Sequence, residues 1–370
     1  MYKRQVIIAS VELLQFDGNY IVRVRDQQGA EGFAVTNWGI NNFYPVFIRH
    51  VGPFFIGKDA RDLDHLINDC FLDSSHYKMQ SMAIWTPIAS AEFAILDLLG
   101  QVSGQNVRSL LGEIVREEVD VYWANNYRGQ SAEESVRKIA ERYHRHNPPA
   151  VKFKIAGRMG TPEKPVGRSE KMIPLLRKTL GDQVVIYADA NGGYDVDEAI
   201  RIGKILEEID AGFFEEPCPF YELWETKKVS DSLKVPVAAG EQESSLRRFR
   251  WMAANSGVKI MQPDLFYFGG LIRSIKVSRM ADHVGLPCTP HVSGGGLNML
   301  YISHYASIIS NSGDHQEYKS PDSRIQYELS DGHIEAKSGI LRPPSGNGLG
   351  FSLDPDWLKK GRLITEDDLI

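Results

Sequence analysis

The sequence predicts an α/β fold: a modified (β/α) barrel of the TIM type in the C-terminal part of the chain, preceded by an N-terminal α+β domain. Two observations carry this reading. Asp189, Glu215, Glu241, Asp264, His291 and Glu317 recur at gaps of 26, 26, 23, 27 and 26 positions, each at or near the end of a short apolar run. Such a gap suits one strand, one helix and two loops, and side chains delivered at successive strand ends of a barrel converge on one mouth. The first 110 or so residues lack this alternation and read as strands followed by helices. The domains are therefore expected at 1–115, 116–320 and 321–370, the last returning to the first.

Taken in order, residues 1–45 alternate like antiparallel strands, with the turn cluster 26–32 leading into Phe33, Ala34 and Val35. Helices are expected at 60–70 and 88–102, where Phe93, Leu96, Leu99 and Gly100 fall at helical spacing, and Gly112 is a helix stop. Eight strands follow, at 121–124, 150–155, 184–188, 212–215, 235–239, 258–261, 286–289 and 314–317. Helices at 132–143, 196–209 and 272–284 have the length of right-handed βαβ crossovers. The tail after Tyr318 is rich in Gly and Pro and reads as loops.

Composition narrows the function classes. The 370 residues carry 42 basic and 48 acidic side chains, and no basic run exceeds Arg247-Arg248, which argues against a nucleic-acid surface. Cys70, Cys218 and Cys288 are odd in number and lack CxxC spacing, so they read as reduced packing thiols. The N-terminus turns polar by Glu12, too early for a signal peptide, and no apolar stretch approaches about 18 residues. A cytoplasmic protein with small polar partners, and with no membrane contact, is expected.

The convergent side chains point to chemistry. Asp189, Glu215 and Glu241 end three consecutive strands and would repel one another unless a cation neutralised them. An oxygen-only ligand set favours Mg²⁺, with Mn²⁺ the alternative, and leaves coordination positions for substrate and water. In Val151-Lys152-Phe153-Lys154-Ile155, alternation sets both lysines on the inner face, where Lys154 is a candidate base. Asp264 and His291 end neighbouring strands and form a candidate carboxylate–imidazole pair.

These residues resemble the enolase superfamily, and within it the mandelate racemase subgroup. Lys152-Phe153-Lys154 is similar to that subgroup's second-strand Lys-x-Lys, and Ala188-Asp189-Ala190-Asn191-Gly192 to its first ligand strand end. Glu215-Glu216-Pro217 and Gly240-Glu241 resemble the other two, and Asp264 with His291 resembles its His-Asp dyad. Ile56-Gly57-Lys58-Asp59, the helix around 91–100 and Leu110-Leu111-Gly112 resemble the family's capping domain. The resemblance implies Mg²⁺-assisted removal of the α-proton of a small carboxylate substrate by Lys154 or His291. Lys152 would neutralise a carboxylate oxygen, and Glu317, if protonated or sharing a proton, would donate a hydrogen bond to the other. Asn191 and Trp38 join Lys152 and Glu317 as expected substrate contacts. Dehydration of a sugar acid to a 2-keto-3-deoxy acid, its β-hydroxyl leaving with His291 as general acid, is the expected outcome, with racemisation or epimerisation and lactone or anhydro-ring cycloisomerisation as alternatives. A symmetric homo-oligomer is implied as well.

Residues 36–44 are expected to form a mobile polar lid, with Trp38 excluding water from the barrel mouth. Two other classes are weighed against this reading. A Schiff-base aldolase would not need the three carboxylates, and a non-catalytic barrel would have lost a base or a ligand, whereas all are present.

Overall fold

The computed structural model describes residues 4–369. Met1, Tyr2 and Lys3, which open the N-terminal segment read above as lacking a signal peptide, lie outside it. Strands Ile8–Phe16, Asn19–Asp26 and Glu31–Val35 form an antiparallel meander, and Arg362–Ile364 near the C-terminus adds a fourth strand beside the first. The tight first turn needs positive φ at both central residues, which Asp17 (43°) and Gly18 (82°) supply. Helix Ser81–Ser103 packs across this sheet at Gly32, where a Cβ would stand 2.3 Å from the Ala94 carbonyl oxygen.

That helix corrects the expectation of no long apolar stretch. It has 23 residues and is apolar enough by length and composition to cross a membrane, yet 89% of its apolar window is buried inside the protein, as in a core helix. It also starts earlier than expected, running through Pro87. Residues 36–44 are not a simple loop either: helix Ile40–Val46 begins just after Trp38. Pro45 within that helix and Pro53 shortly after it obscured the helical pattern.

Glu92 and Asp97 sit on the buried face of the long helix. Glu92 accepts the Ile272 N–H at 3.0 Å, and Asp97 accepts those of Phe33 and Leu349, each at 2.8 Å. Burial outweighs these hydrogen bonds and pushes Glu92 up to about 8 and Asp97 to about 7. The native state thus holds protons that the unfolded chain releases, so stability is fullest at acid pH and falls as pH rises toward 8. Glu92→Gln is expected to remove a slope of about 1.4 kcal/mol per pH unit across the window between 4.5 and about 8. Urea unfolding at a series of pH values checks this; superimposable profiles for variant and wild type would refute it.

The barrel strands are Val119–Asn125, Ala150–Lys154, Val185–Asp189, Phe213–Glu215, Val237–Ala239 and Ile260–Met261, each parallel to the next. Gln316–Tyr318 pairs in parallel with Val119–Asn125, so the last barrel strand lies beside the first. The expected seventh strand at 286–289 is reduced to isolated bridges, Met261 to Cys288 and Cys288 to Ser312. Pro287 within this stretch and Pro290 just after it have no N–H to extend a ladder.

Inside the barrel, Tyr122, Ala150, Tyr187, Phe213 and Ala238 form an apolar plug, with Tyr187 and Phe213 stacked at 3.9 Å. Strand alternation places Lys152, Asp189 and Glu215 two residues beyond Ala150, Tyr187 and Phe213, so a charged layer sits on a dry floor.

The tail is not only loops. Tyr327–Leu329 pairs with Phe351–Leu353, and His333–Lys337 pairs with Ile340–Arg342, which in turn joins the start of the first barrel strand. Strands of three to five residues between glycine turns are too short to show a period. Cys70, Cys218 and Cys288 are buried free thiols.

Candidate active site

Asp189 and Glu215 are direct neighbours in the parallel ladder, and Glu241 follows the next strand's end through Gly240. One ligand oxygen from each of the three lies within 4.8 Å of the others, and all three residues are buried. Gly240 has a φ of 130°, and a Cβ there would meet the Phe249 ring at 2.7 Å. Asn191, with a φ of 44°, turns its own N–H onto Asp189 at 2.7 Å and its amide nitrogen toward Asp189 and Glu241 at 3.2 and 3.3 Å.

The electrostatics of this triad call for a cation. Among the described residues, Glu215 Oε1 and Glu241 Oε2 are buried with no hydrogen-bond partner, although His291 Nε2 stands at ion-pair distance, 3.3 Å, from Glu241 Oε2. Burial, reinforced by the charges of Asp189 and Glu241 and opposed by Lys152, pushes Glu215 up to about 8. Glu241 is displaced the other way, because His291, Lys154 and Lys152 outweigh its burial. The mutual repulsion of the carboxylates thus favours the neutral form of Glu215. A hard divalent ion accepting both orphaned oxygens relieves the same repulsion, so the residues fit Mg²⁺.

The two inward lysines meet different ends of the cluster. Lys152 Nζ stands 2.7 Å from Glu215 Oε2, 3.1 Å from Glu317 Oε1 and 4.0 Å from Asp189 Oδ2, and its side chain is 1% exposed. Burial alone would lower its pKa; Glu215 and then Glu317 reverse this and hold it well above the ordinary value. Lys154 Nζ pairs with Asp189 Oδ2 and reaches the cavity above the triad.

On the other side, His291 Nδ1 lies 2.6 Å from Asp264 Oδ2. The other Asp264 oxygen accepts the N–H groups of Phe266 and Tyr267 at 2.7 and 2.6 Å, which fixes the carboxylate. With Nδ1 toward Asp264, His291 Nε2 faces the site, 3.3 Å from Glu241 Oε2 and 3.4 Å from Glu317 Oε2. Burial opposes the imidazolium, but Glu241 and Glu317 prevail and the His291 pKa is raised.

Glu317, expected to donate if protonated or sharing a proton, accepts the Val292 N–H at 3.3 Å. Although burial favours its neutral form, His291, Lys152 and Lys319 hold its pKa well below the carboxylate range.

A cavity of about 640 Å³ opens over the triad, lined by Trp38, Lys154, Asn191, Glu241 and His291 among others. Lys152, Glu215, Asp264 and Glu317 stand behind this wall. Trp38 is 53% exposed and donates from Nε1 to the Tyr267 hydroxyl at 3.0 Å, and that hydroxyl also meets Ser293 Oγ. Sequence reasoning missed Tyr267, Gln262, which donates to Glu215 at 3.2 Å, and Lys319, which lines the cavity. Only Lys319 left a signal, its position two residues beyond Glu317 on a strand of period two.

A barrel whose strand ends gather a buried carboxylate triad between a lysine and a carboxylate-bound histidine defines a class of enzymes, and the chain belongs to it. Residues 134–357 match the family described as enolase C-terminal domain-like, which places the protein in the enolase superfamily. It is similar to the arabinonate dehydratase of Saccharolobus solfataricus, at 26% identity over 81% of this chain and 78% of that protein. It is also similar to the D-galactarolactone cycloisomerase of Agrobacterium fabrum, at 27% identity over 85% of this chain and 84% of that protein. Among solved structures, a mandelate racemase/muconate lactonizing protein from Paracoccus denitrificans complexed with magnesium superposes with a TM-score of 0.87 at 27% identity, covering 97% of this chain and 99% of its own.

Proposed function

We propose that the protein is a Mg²⁺-dependent acid-sugar dehydratase that removes the α-proton of a sugar acid and expels its β-hydroxyl, giving a 2-keto-3-deoxy acid. The observation that carries this reading is the placement of two proton-handling groups at opposite ends of one carboxylate triad. Lys154 stands against Asp189, and His291 Nε2 lies 3.3 Å from Glu241. Mg²⁺ held by Asp189, Glu215 and Glu241 would supply a fixed charge for the second negative charge that develops as the α-proton leaves.

The chain's own residues supply the rest. Lys154 Nζ or His291 Nε2 takes the α-proton, the configuration at that carbon deciding which. Asp264 keeps the proton of the neutral ring on Nδ1 and supports the imidazolium once it forms. Lys152 balances Glu215 and Glu317 beneath the substrate carboxylate, and Asn191 orients the ligand carboxylates. Trp38, tied to Tyr267, limits water at the mouth.

The likeness to arabinonate dehydratase supports elimination over simple reprotonation. A second reading, cycloisomerisation of a sugar-acid lactone or anhydro acid, is favoured by the likeness to galactarolactone cycloisomerase. The test is a library of mono- and diacid sugars incubated with protein and Mg²⁺ in heavy water. Keto-acid product, read as its semicarbazone, is expected from at least one sugar acid. α-Deuteration without keto acid would overturn dehydration in favour of racemisation or epimerisation. Reaction only with lactones or anhydro acids would favour the cycloisomerase reading.

A further inference from the structure

The alternation that places Lys152 and Lys154 on one face of the second barrel strand recurs on the last one. Glu317 points inward from Gln316–Tyr318, and Lys319, two residues on, leaves the strand end on the same side. Lys319 Nζ lies 3.3 Å from His291 Nε2 and 3.4 Å from Glu317 Oε2, and it donates to the Val292 carbonyl at 2.7 Å. Arg142 donates to the Lys319 carbonyl, so the backbone is anchored as well. Lys152 has only 1% of its side chain exposed and is occupied by two carboxylates; Lys319 keeps 20% exposed and opens onto the cavity.

We infer that Lys319 is a further catalytic residue, the ammonium that protonates the departing β-hydroxyl on the His291 side of the site. This rests on the dehydratase reading above. Elimination handles protons on adjacent carbons, one leaving the α-carbon and one reaching the β-oxygen. Two groups 3.3 Å apart can serve two adjacent positions without either having to turn between them. His291, when it takes the α-proton, cannot at the same moment give one to the hydroxyl beside it; Lys319 can.

The step balances without an added reactant. The α-C–H bond breaks, its proton passing to the base and its electron pair forming the α,β double bond. The β-C–O bond breaks with its pair going to oxygen, which takes a proton from Lys319 Nζ and leaves as water. In the resulting enol, the β-carbon receives the proton held by the base, and the hydroxyl proton returns to the Lys319 amine as the keto group forms. Glu317, 3.4 Å from Nζ, holds the ammonium toward the site at the start of each turnover.

The bond to Val292 offers a purely structural role instead, that of tethering the loop after His291. The experiment separates the two by measuring keto-acid formation and α-deuteration of recovered substrate together, in heavy water, for wild type, Lys319→Met and Lys319→Arg. In Lys319→Met, elimination is expected to fall by roughly 10²–10⁴-fold while exchange persists. Lys319→Arg, which keeps charge and tether but is too weak an acid, should stay low. A β-fluoro analogue, whose leaving fluoride needs no proton, should restore elimination in Lys319→Met. Exchange and elimination falling together, rescue by arginine, or unchanged turnover in Lys319→Met would each overturn the assignment. If wild type itself exchanges but eliminates from no sugar acid, the dehydratase reading fails and the Lys319 role with it. If wild type and Lys319→Met both eliminate, only the Lys319 role fails.

Discussion

Stripping divalent metal with EDTA is expected to abolish turnover, and Mg²⁺ to restore it. The reason lies in the charge balance of the triad. Burial and the neighbouring carboxylates push Glu215 up to about 8, and Glu215 Oε1 and Glu241 Oε2 have no hydrogen-bond partner among the described residues. Such a site gains more from binding a hard cation than an exposed acidic cluster would, because its carboxylates are already stripped of water. Glu241→Gln removes one ligand charge while keeping the shape. Since loss of an outer partner to a ligand costs 10–100-fold in metal affinity, loss of the ligand itself is expected to cost more than about 100-fold. Calorimetric titration with Mg²⁺ reads this without any substrate. Thermal unfolding gives a second measure, because metal at about 100 times its dissociation constant should stabilise the native state by about 2.7 kcal/mol. Full turnover in EDTA, or equal Mg²⁺ binding by Glu241→Gln, would dismiss the triad as a metal site.

Lys154→Ala and His291→Asn are each expected to lower kcat by about 10²–10⁴-fold on a substrate that uses that group, with folding intact. The two losses should differ in kind. Lys154 and His291 stand at opposite ends of the triad, so each variant should retain α-proton exchange on the substrate configuration served by the other. Removing Lys154 also leaves Asp189 with only the more distant Lys152, at 4.0 Å, as an ion-pair partner, which should raise Mg²⁺ affinity rather than lower it. Proton NMR of both α-epimers in heavy water reads the stereochemical split. Turnover unchanged in either variant would end that residue's assignment as an acid or base.

Much of this site was legible in the sequence because two regularities do not depend on the partner. Parallel strand ends recur once per βα unit, which picked out Asp189, Glu215 and Glu241. Period two set Lys152 and Lys154 on one face, and the closed layer above Tyr187 and Phe213 matches that count. Where proline interrupts a pattern, the reading faltered. Residues 286–289, with Pro287 inside and Pro290 just after, looked like a strand and make only isolated bridges, and Pro87 hid the first turns of helix Ser81–Ser103. The lid stretch resolved into Trp38 followed by a helix, since Pro45 masked the helical spacing.

The sequence by itself determined the order of βα units, the strand ends that carry charge and the face each charged residue takes. Local periodicity is enough for that, because backbone geometry alone sets where successive side chains point. The tertiary structure decided which charges meet: Lys152 is claimed by Glu215 and Glu317, Glu317 stands among Lys152, His291 and Lys319, Tyr267 ties down Trp38, and Lys319 stands beside His291. Those pairings depend on strands distant in sequence closing to within hydrogen-bond reach in a space with little water, where one charge shifts the next, and no local pattern encodes that distance.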